Sequence, residues 1–176
     1  LGSNLTLQVL DAIMCHNGEF IHQKYHPKKK TKEEFFKEYH SSYQDSSVMK
    51  HLVPMTLEGC VVRISDIIAY LGRDIDDACA LGVFQKSDLP KEIVAVLGKE
   101  NRNMINTIIM DIVTHSVGHP YLCMSDTVYQ AMIALKQFNM EYIYKKAHDK
   151  DSWNRYEKMF RVVFDGCLND LKENRT

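Results

Sequence analysis

The stretch Arg63-Ile64-Ser65-Asp66-Ile67-Ile68-Ala69-Tyr70-Leu71-Gly72-Arg73-Asp74-Ile75-Asp76-Asp77 decides the fold, because it sorts onto two faces when wound at ~100° per residue. Val61, Ile64, Ile68, Leu71, Ile75 and Ala78 fall on one side and read as a core stripe. Arg63, Asp66, Tyr70, Arg73, Asp74 and Asp77 fall on the other. Such a polar face is either solvated surface or part of a site. A phenol at Tyr70, where a surface helix commonly carries Lys or Glu, favours the site. Asp66, Tyr70, Asp74 and Asp77 keep nearly one azimuth over three turns, so a single ligand could touch all of them. A carboxylate can bind a divalent metal or accept from a sugar hydroxyl, and a phenol or guanidinium can donate to phosphate oxygens.

Working outward, Thr56 is a candidate N-cap and Gly82 a candidate stop, which predicts one helix over residues 57–81. Gly59 and Gly72 lie inside it at a cost of about 1 kcal/mol each against alanine, which signals close helix packing or ligand approach. On the N-terminal side, Asn4 is expected to cap a helix that buries Leu5, Val9, Leu10 and Ile13 and stops near Gly18. His16 then sits in its last turn, either against the helix dipole or in a site. Residues 20–47 form a basic and aromatic excursion with Lys24, Lys28, Lys29, Lys30 and Lys32, leading into a short helix over residues 32–43. It reads as a solvated loop, or as a basic lid or oligomer arm that meets phosphate groups.

Beyond Gly82, Pro90 opens a short helix over residues 91–97, and a longer one over 101–115 repeats Met104, Ile105, Ile108, Ile109 and Ile112 at helical spacing. His115 and His119 flank a loop rich in Gly and Pro and read as loop histidines. Ser125 caps a helix over residues 126–144, and a last helix over 152–173 is expected to bury Trp153, Tyr156, Met159, Phe160, Val163, Phe164, Cys167 and Leu171. No alternating strand and no internal repeat are visible. The expected fold is all-α, six or seven helices in one unit.

The bulk composition is that of an ordinary globular chain: 176 residues, 45% hydrophobic and 26% charged, with net charge −1. No overall field recruits nucleic acid or anionic lipid, so nucleic acid contact would have to run through the lysines of residues 24–32. Five scattered cysteines without CxxC spacing read as reduced thiols, and no apolar run approaches the ~18–20 residues of a membrane span, so a cytoplasmic protein is expected. The chain starts at Leu1 without a methionine, immediately before a helix, and reads as a piece of a longer protein. GxSxG, P-loop, GxGxxG and HExxH motifs are absent.

Arg63-Ile64-Ser65-Asp66-Ile67-Ile68-Ala69-Tyr70, followed by Arg73-Asp74-Ile75-Asp76-Asp77-Ala78 and Gly82, resembles the signature of the HD-domain deoxynucleoside triphosphate triphosphohydrolases, the dGTPase-like enzymes. Leu1 to Ile13 with His16 looks like that family's segment after its first metal-binding helices. Ile108 to Ser116, Met124-Ser125-Asp126 and Ala134-Leu135-Lys136-Gln137-Phe138 with Ile143-Tyr144 look like its C-terminal half. The resemblance implies a partial HD-domain-like helical bundle. It further implies a divalent metal, Mg²⁺ or Mn²⁺, with Asp66 as its last ligand, Tyr70 lining the nucleotide pocket, and Asp74 facing the deoxyribose 3′-hydroxyl.

Arg63, Arg73 and the lysines of residues 24–32 are the cations available to balance charge on a triphosphate, with Arg102 a further one. The implied reaction is attack by a metal-activated water at the α-phosphorus of a dNTP, giving a deoxynucleoside and triphosphate, in a homo-oligomer. Two departures stand out. Ile67 replaces a residue that is often polar or basic in relatives, and the family's His-Asp pair does not precede the block, the chain's one His-Asp dipeptide, His148-Asp149, lying after it. The metal site is therefore expected to be incomplete and the isolated chain inactive. The competing reading is a non-catalytic nucleotide-binding or regulatory helical module.

Overall fold

The computed structural model describes residues 4–17, 21–145 and 150–173. It is all-α apart from one small strand pair. The helices are α1 (Leu7–Cys15), α2 (Lys32–Gln44), α3 (Leu57–Leu71), α4 (Arg73–Ala80), α5 (Lys91–Leu97), α6 (Asn101–Ser116), α7 (Asp126–Asn139) and α8 (Lys150–Lys172). A π-helical turn, Met140–Tyr144, continues α7. Strands β1 (Lys24–Tyr25) and β2 (Leu122–Cys123) pair antiparallel, with Lys24 opposite Cys123 and Tyr25 opposite Leu122. At two residues each, they are too short to carry an alternating pattern. Among the described residues no helix is long and apolar enough to cross a membrane.

The caps explain most boundaries. Thr56 Oγ1 accepts from the Gly59 amide at 3.1 Å, as its position predicts. Ser125 caps α7, and Thr31 and Glu34 form a reciprocal capping box at α2. After α4, the Val83 amide donates to Ala78 O and the Gly82 amide to Cys79 O, with Gly82 at φ +70°, a Schellman stop. The expected single helix over residues 57–81 is instead broken at Gly72. A Cβ there would lie 2.4 Å from Asn101 Oδ1 at the start of α6, so a larger residue would force the Asn101 side chain to shift. At Gly59 the neighbour is Pro54 Cβ, 2.8 Å away.

The core gathers Ile64, Ile68 and Leu71 from α3, Ile75 and Ala78 from α4, Ile93 and Leu97 from α5, Met104 and Ile108 from α6, and Met132 and Leu135 from α7. Burying each such side chain contributes about 1.5–3 kcal/mol. Phe84 meets Phe138 edge-on, with centroids 5.5 Å apart, and closes the far end.

Four expectations are corrected. Val61 is 46% exposed and stands outside the core stripe. In α1 the N-cap is Thr6, not Asn4, and Leu5, Val9, Leu10 and Ile13 are exposed, while Asp11 and Cys15 turn inward. The expected stop at Gly18 lies outside the described residues. In α8, Trp153, Tyr156, Met159, Phe160, Val163, Phe164, Cys167 and Leu171 are all exposed.

The fourth correction concerns one lysine of the basic excursion, for Lys24, Lys28, Lys29 and Lys32 are exposed and Lys30 is not. Lys30 is drawn inside, its Nζ 2.7 Å from Asp11 Oδ1 and 2.7 Å from Glu38 Oε2, with the Lys30 side chain fully buried. Asp11 Oδ2 also accepts from the Met55 amide at 2.6 Å. This cluster ties α1, α2 and the approach to α3 together. Burial opposes the Lys30 charge, but the hydrogen bonds to Asp11 and Glu38 outweigh it and hold the ammonium pKa above its ordinary value. The stabilisation is therefore complete below the unfolded lysine pKa of ~10.4 and is lost as pH rises beyond it. Lys30→Met should strand the Asp11 carboxylate and cost about 3–5 kcal/mol, read as a fall in the urea midpoint. The same variant should lose the alkaline destabilisation that the parent shows above pH ~10.5.

Candidate functional site

Because side chains four apart stack on a helix, α3 carries Asp66 and Tyr70 along one edge, and Asp74 follows in the first turn of α4. Asp66 and Asp74 are half-buried, and Tyr70 is 60% exposed. The face is therefore open, with the Asp66 carboxylate, the Tyr70 phenol and one oxygen of Asp74 available to a ligand. Arg73 lies beside them, its Nε donating to Asp77 Oδ1 at 3.1 Å in an exposed i, i+4 pair worth a few tenths of a kcal/mol.

Arg63 departs from expectation. It is only 3% exposed, and its Nη1 donates to Leu52 O at 2.5 Å. The loop before α3 folds over it, so it leaves the solvent face and lines a different cleft from Tyr70 and Asp74. His16 is a helix-end residue, its Nδ1 2.6 Å from Ile13 O, and His115 likewise meets Asp111 O at 2.8 Å. His119 stacks on Tyr121 with centroids 4.9 Å apart, so the two loop histidines are spent on local contacts.

The structure adds two residues that periodicity did not single out. Tyr144, on the π-helical turn, donates its hydroxyl to Asp74 Oδ2. Burial, followed by the Asp74 carboxylate, pushes that phenol up to about 12, so it remains a donor at neutral pH. Asn139 is fully buried, and its Nδ2 donates to Leu71 O at 2.9 Å, at the break between α3 and α4. An amide ending an apolar stripe at Phe138-Asn139 was the available signal. Lys86 joins Asp76 at 2.8 Å and Glu100 at 2.5 Å, and these hydrogen bonds raise its pKa. That pairing occupies Asp76 and keeps it out of the Asp66 face.

Metal chemistry needs several convergent ligands. Among the described residues, no three His, Cys, Asp or Glu converge to hold an ion, and Asp66 offers one carboxylate. These residues do not make a metal centre by themselves.

Asn139→Ala should leave the buried Leu71 carbonyl unpaired, at a cost of about 1–3 kcal/mol. It should also free the π-helical turn, so amide exchange should accelerate at residues 140–144 while α5 and α6 keep their protection.

No family model and no solved structure matches the chain. Curated relatives do. A deoxyguanosinetriphosphate triphosphohydrolase-like protein of Caldanaerobacter subterraneus subsp. tengcongensis is 40% identical over 68% of the chain and 37% of its own length. Proteins of the same name from Clostridium perfringens and Desulfatibacillum aliphaticivorans are 31% and 34% identical over 98% and 97% of the chain, and 44% and 43% of their own lengths. The chain thus spans about two-fifths of the relatives it matches. Over that span it belongs to the family of deoxyguanosinetriphosphate triphosphohydrolase-like proteins.

Proposed function

We propose that the chain is the C-terminal portion of a metal-dependent dNTP triphosphohydrolase, and that α3 and α4 form one wall of its nucleotide pocket. The observation that carries this reading is the open line of Asp66, Tyr70 and Asp74 on one helical edge, in a chain similar over nearly its whole length to proteins of that name. A purely structural helix has no use for that set.

In this reading Asp66 is one ligand of a Mg²⁺ or Mn²⁺ ion whose other ligands lie outside the described residues. When bound, such an ion polarises a phosphoryl oxygen and lowers the pKa of its water. The chain's own residues bind and orient. Tyr70 packs against sugar and phosphates. Asp74 accepts from the 3′-hydroxyl through the carboxylate oxygen that Tyr144 leaves open, because Tyr144 fixes the other. Arg73, at the exposed rim, is available to a phosphate once it leaves Asp77. A homo-oligomer belongs to the same proposal, since α8 exposes Trp153, Phe160 and Phe164 along its length.

The full-length protein, given a dNTP with Mg²⁺ or Mn²⁺, should release inorganic triphosphate, followed by ³¹P NMR. Asp66→Ala should lower that rate about 10³-fold or more, the equivalent of several kcal/mol of lost metal assistance. Asp74→Asn should raise KM about tenfold with a smaller effect on kcat. The 176-residue chain alone should show no turnover. Unchanged turnover in Asp66→Ala would refute the metal assignment. A full-length protein that binds dNTP and releases no triphosphate would be the non-catalytic nucleotide-binding module instead.

A further inference from the structure

Helix α8, 23 residues and about 34 Å long, is amphipathic from end to end. At ~100° per residue, Tyr156, Phe160, Val163, Phe164, Cys167 and Leu171 fall within one stripe about 100° wide. Arg155, Lys158, Asp165 and Lys172 lie on the other side. The stripe is the face that seeks burial, yet Phe160 is 68% exposed, and Phe164 and Leu171 are each 67% exposed. Its three aromatic rings and their neighbours leave roughly 600–700 Å² of apolar surface open, taking about 150–250 Å² for a whole aromatic side chain. This exceeds the ~300–600 Å² of the largest patch on an ordinary monomer. Two such stripes face to face would bury roughly 1,200–1,400 Å², which reaches the ~1,200–2,000 Å² of a specific, stable interface.

The charges of the same helix are sorted along its axis. Residues 153–161 hold Arg155, Lys158 and Arg161 against Glu157, a net charge of +2. Residues 162–173 hold Lys172 against Asp165, Asp170 and Glu173, a net charge of −2. All of these residues are exposed. Arg161 and Glu157 pair at 2.8 Å inside the basic half, which leaves its net charge unchanged. A helix dipole favours the reverse order, with carboxylates towards the N-terminus and cations towards the C-terminus, so the sorting does not serve the isolated helix. It serves a second helix. In a parallel pair of α8 helices like halves would meet, whereas in an antiparallel pair each basic half meets an acidic one and the two dipoles oppose.

We propose that α8 pairs with α8 of a second copy of this chain, antiparallel, about a two-fold axis that passes between Phe160 and Phe164. That axis sets Phe160 against the partner's Phe164 and Tyr156 against the partner's Leu168. It also brings Lys158 to the level of the partner's Asp165, and Arg155 to the level of the partner's Asp170. A contact of this kind is self-complementary and closes on itself, giving a dimer or an even-numbered assembly. Because its basic and acidic halves cancel, α8 lacks the basic polar face that seats a helix on an anionic membrane. The pairing supplies the surface for the homo-oligomer proposed above; it rests on that part of the reading and needs none of the hydrolase chemistry.

The test is sedimentation equilibrium of the full-length protein. Reversible self-association is expected, and Phe160→Glu/Phe164→Glu should weaken it at least a hundredfold, with circular dichroism showing that the fold is kept. Arg155→Glu/Lys158→Glu should weaken it at least tenfold, and so should Asp165→Lys/Asp170→Lys. The four charge changes combined in one chain should restore it. In a parallel pair each half faces its own kind before and after reversal, so neither charge variant alone would change the affinity. A full-length protein that sediments as a monomer overturns the proposal, whether another segment of its own chain covers α8 or the helix binds anionic vesicles instead. Unchanged association in the folded Phe160→Glu/Phe164→Glu variant, or no recovery in the combined charge variant, overturns it as well. Association is read without turnover, so failure of the hydrolase reading in the triphosphate-release assay would leave this result standing.

Discussion

The buried contact between Lys30 and Asp11 is the constraint on which the functional half of the molecule depends. An ammonium and a carboxylate 2.7 Å apart, both removed from water, hold together only if their remaining bonding capacity is used. Glu38 and the Met55 amide use it. Removal of either charge would strand the other, so three segments that are far apart in sequence are fixed as one. The approach to α3 is thereby fixed as well. Leu52, three residues before Met55, places its carbonyl on Arg63, and the Lys28 amide donates to Pro54 O at 2.9 Å. Leu52, Val53 and Pro54 thereby line the cleft that Arg63 also lines.

A second constraint acts at the other end of the same helix. Gly72 lets the Asn101 side chain of α6 lie where a Cβ would press on it, and α3 gives way to α4 there. Asn139 holds the Leu71 carbonyl at the bend, and Tyr144, five residues later, reaches Asp74 just beyond it. The end of α7 therefore orients the carboxylate assigned to the sugar. In physical terms, Asp74 is positioned from a distant element, and Asp66, before the bend, is positioned by α3 alone.

Much of this was legible in the sequence, and the failures have physical reasons. The core stripe of Ile64, Ile68, Leu71, Ile75 and Ala78 followed from period 3.6, and Thr56, Ser125 and Gly82 marked their boundaries through local chemistry. Periodicity misplaced Arg63, because its azimuth is polar while a non-local loop covers it. It misplaced Leu5, Val9 and Ile13 for the opposite reason: an apolar stripe says which face seeks burial, not whether a described element is there to bury it. Asp11 was hidden in an apolar run and Asn139 ended one, and such isolated polar residues announce a buried partner without naming it. The family resemblance came from the block at residues 63–77.

The most direct measurement is a crystal structure of the full-length protein with Mn²⁺ and a non-hydrolysable dNTP analogue. The Asp66 carboxylate should be found in the metal's coordination sphere, with Tyr70 against the nucleotide and Asp74, still bonded to Tyr144, within hydrogen-bond reach of the sugar. A nucleotide bound elsewhere, with Asp66 facing solvent, would contradict the assignment of this helical edge as the pocket wall.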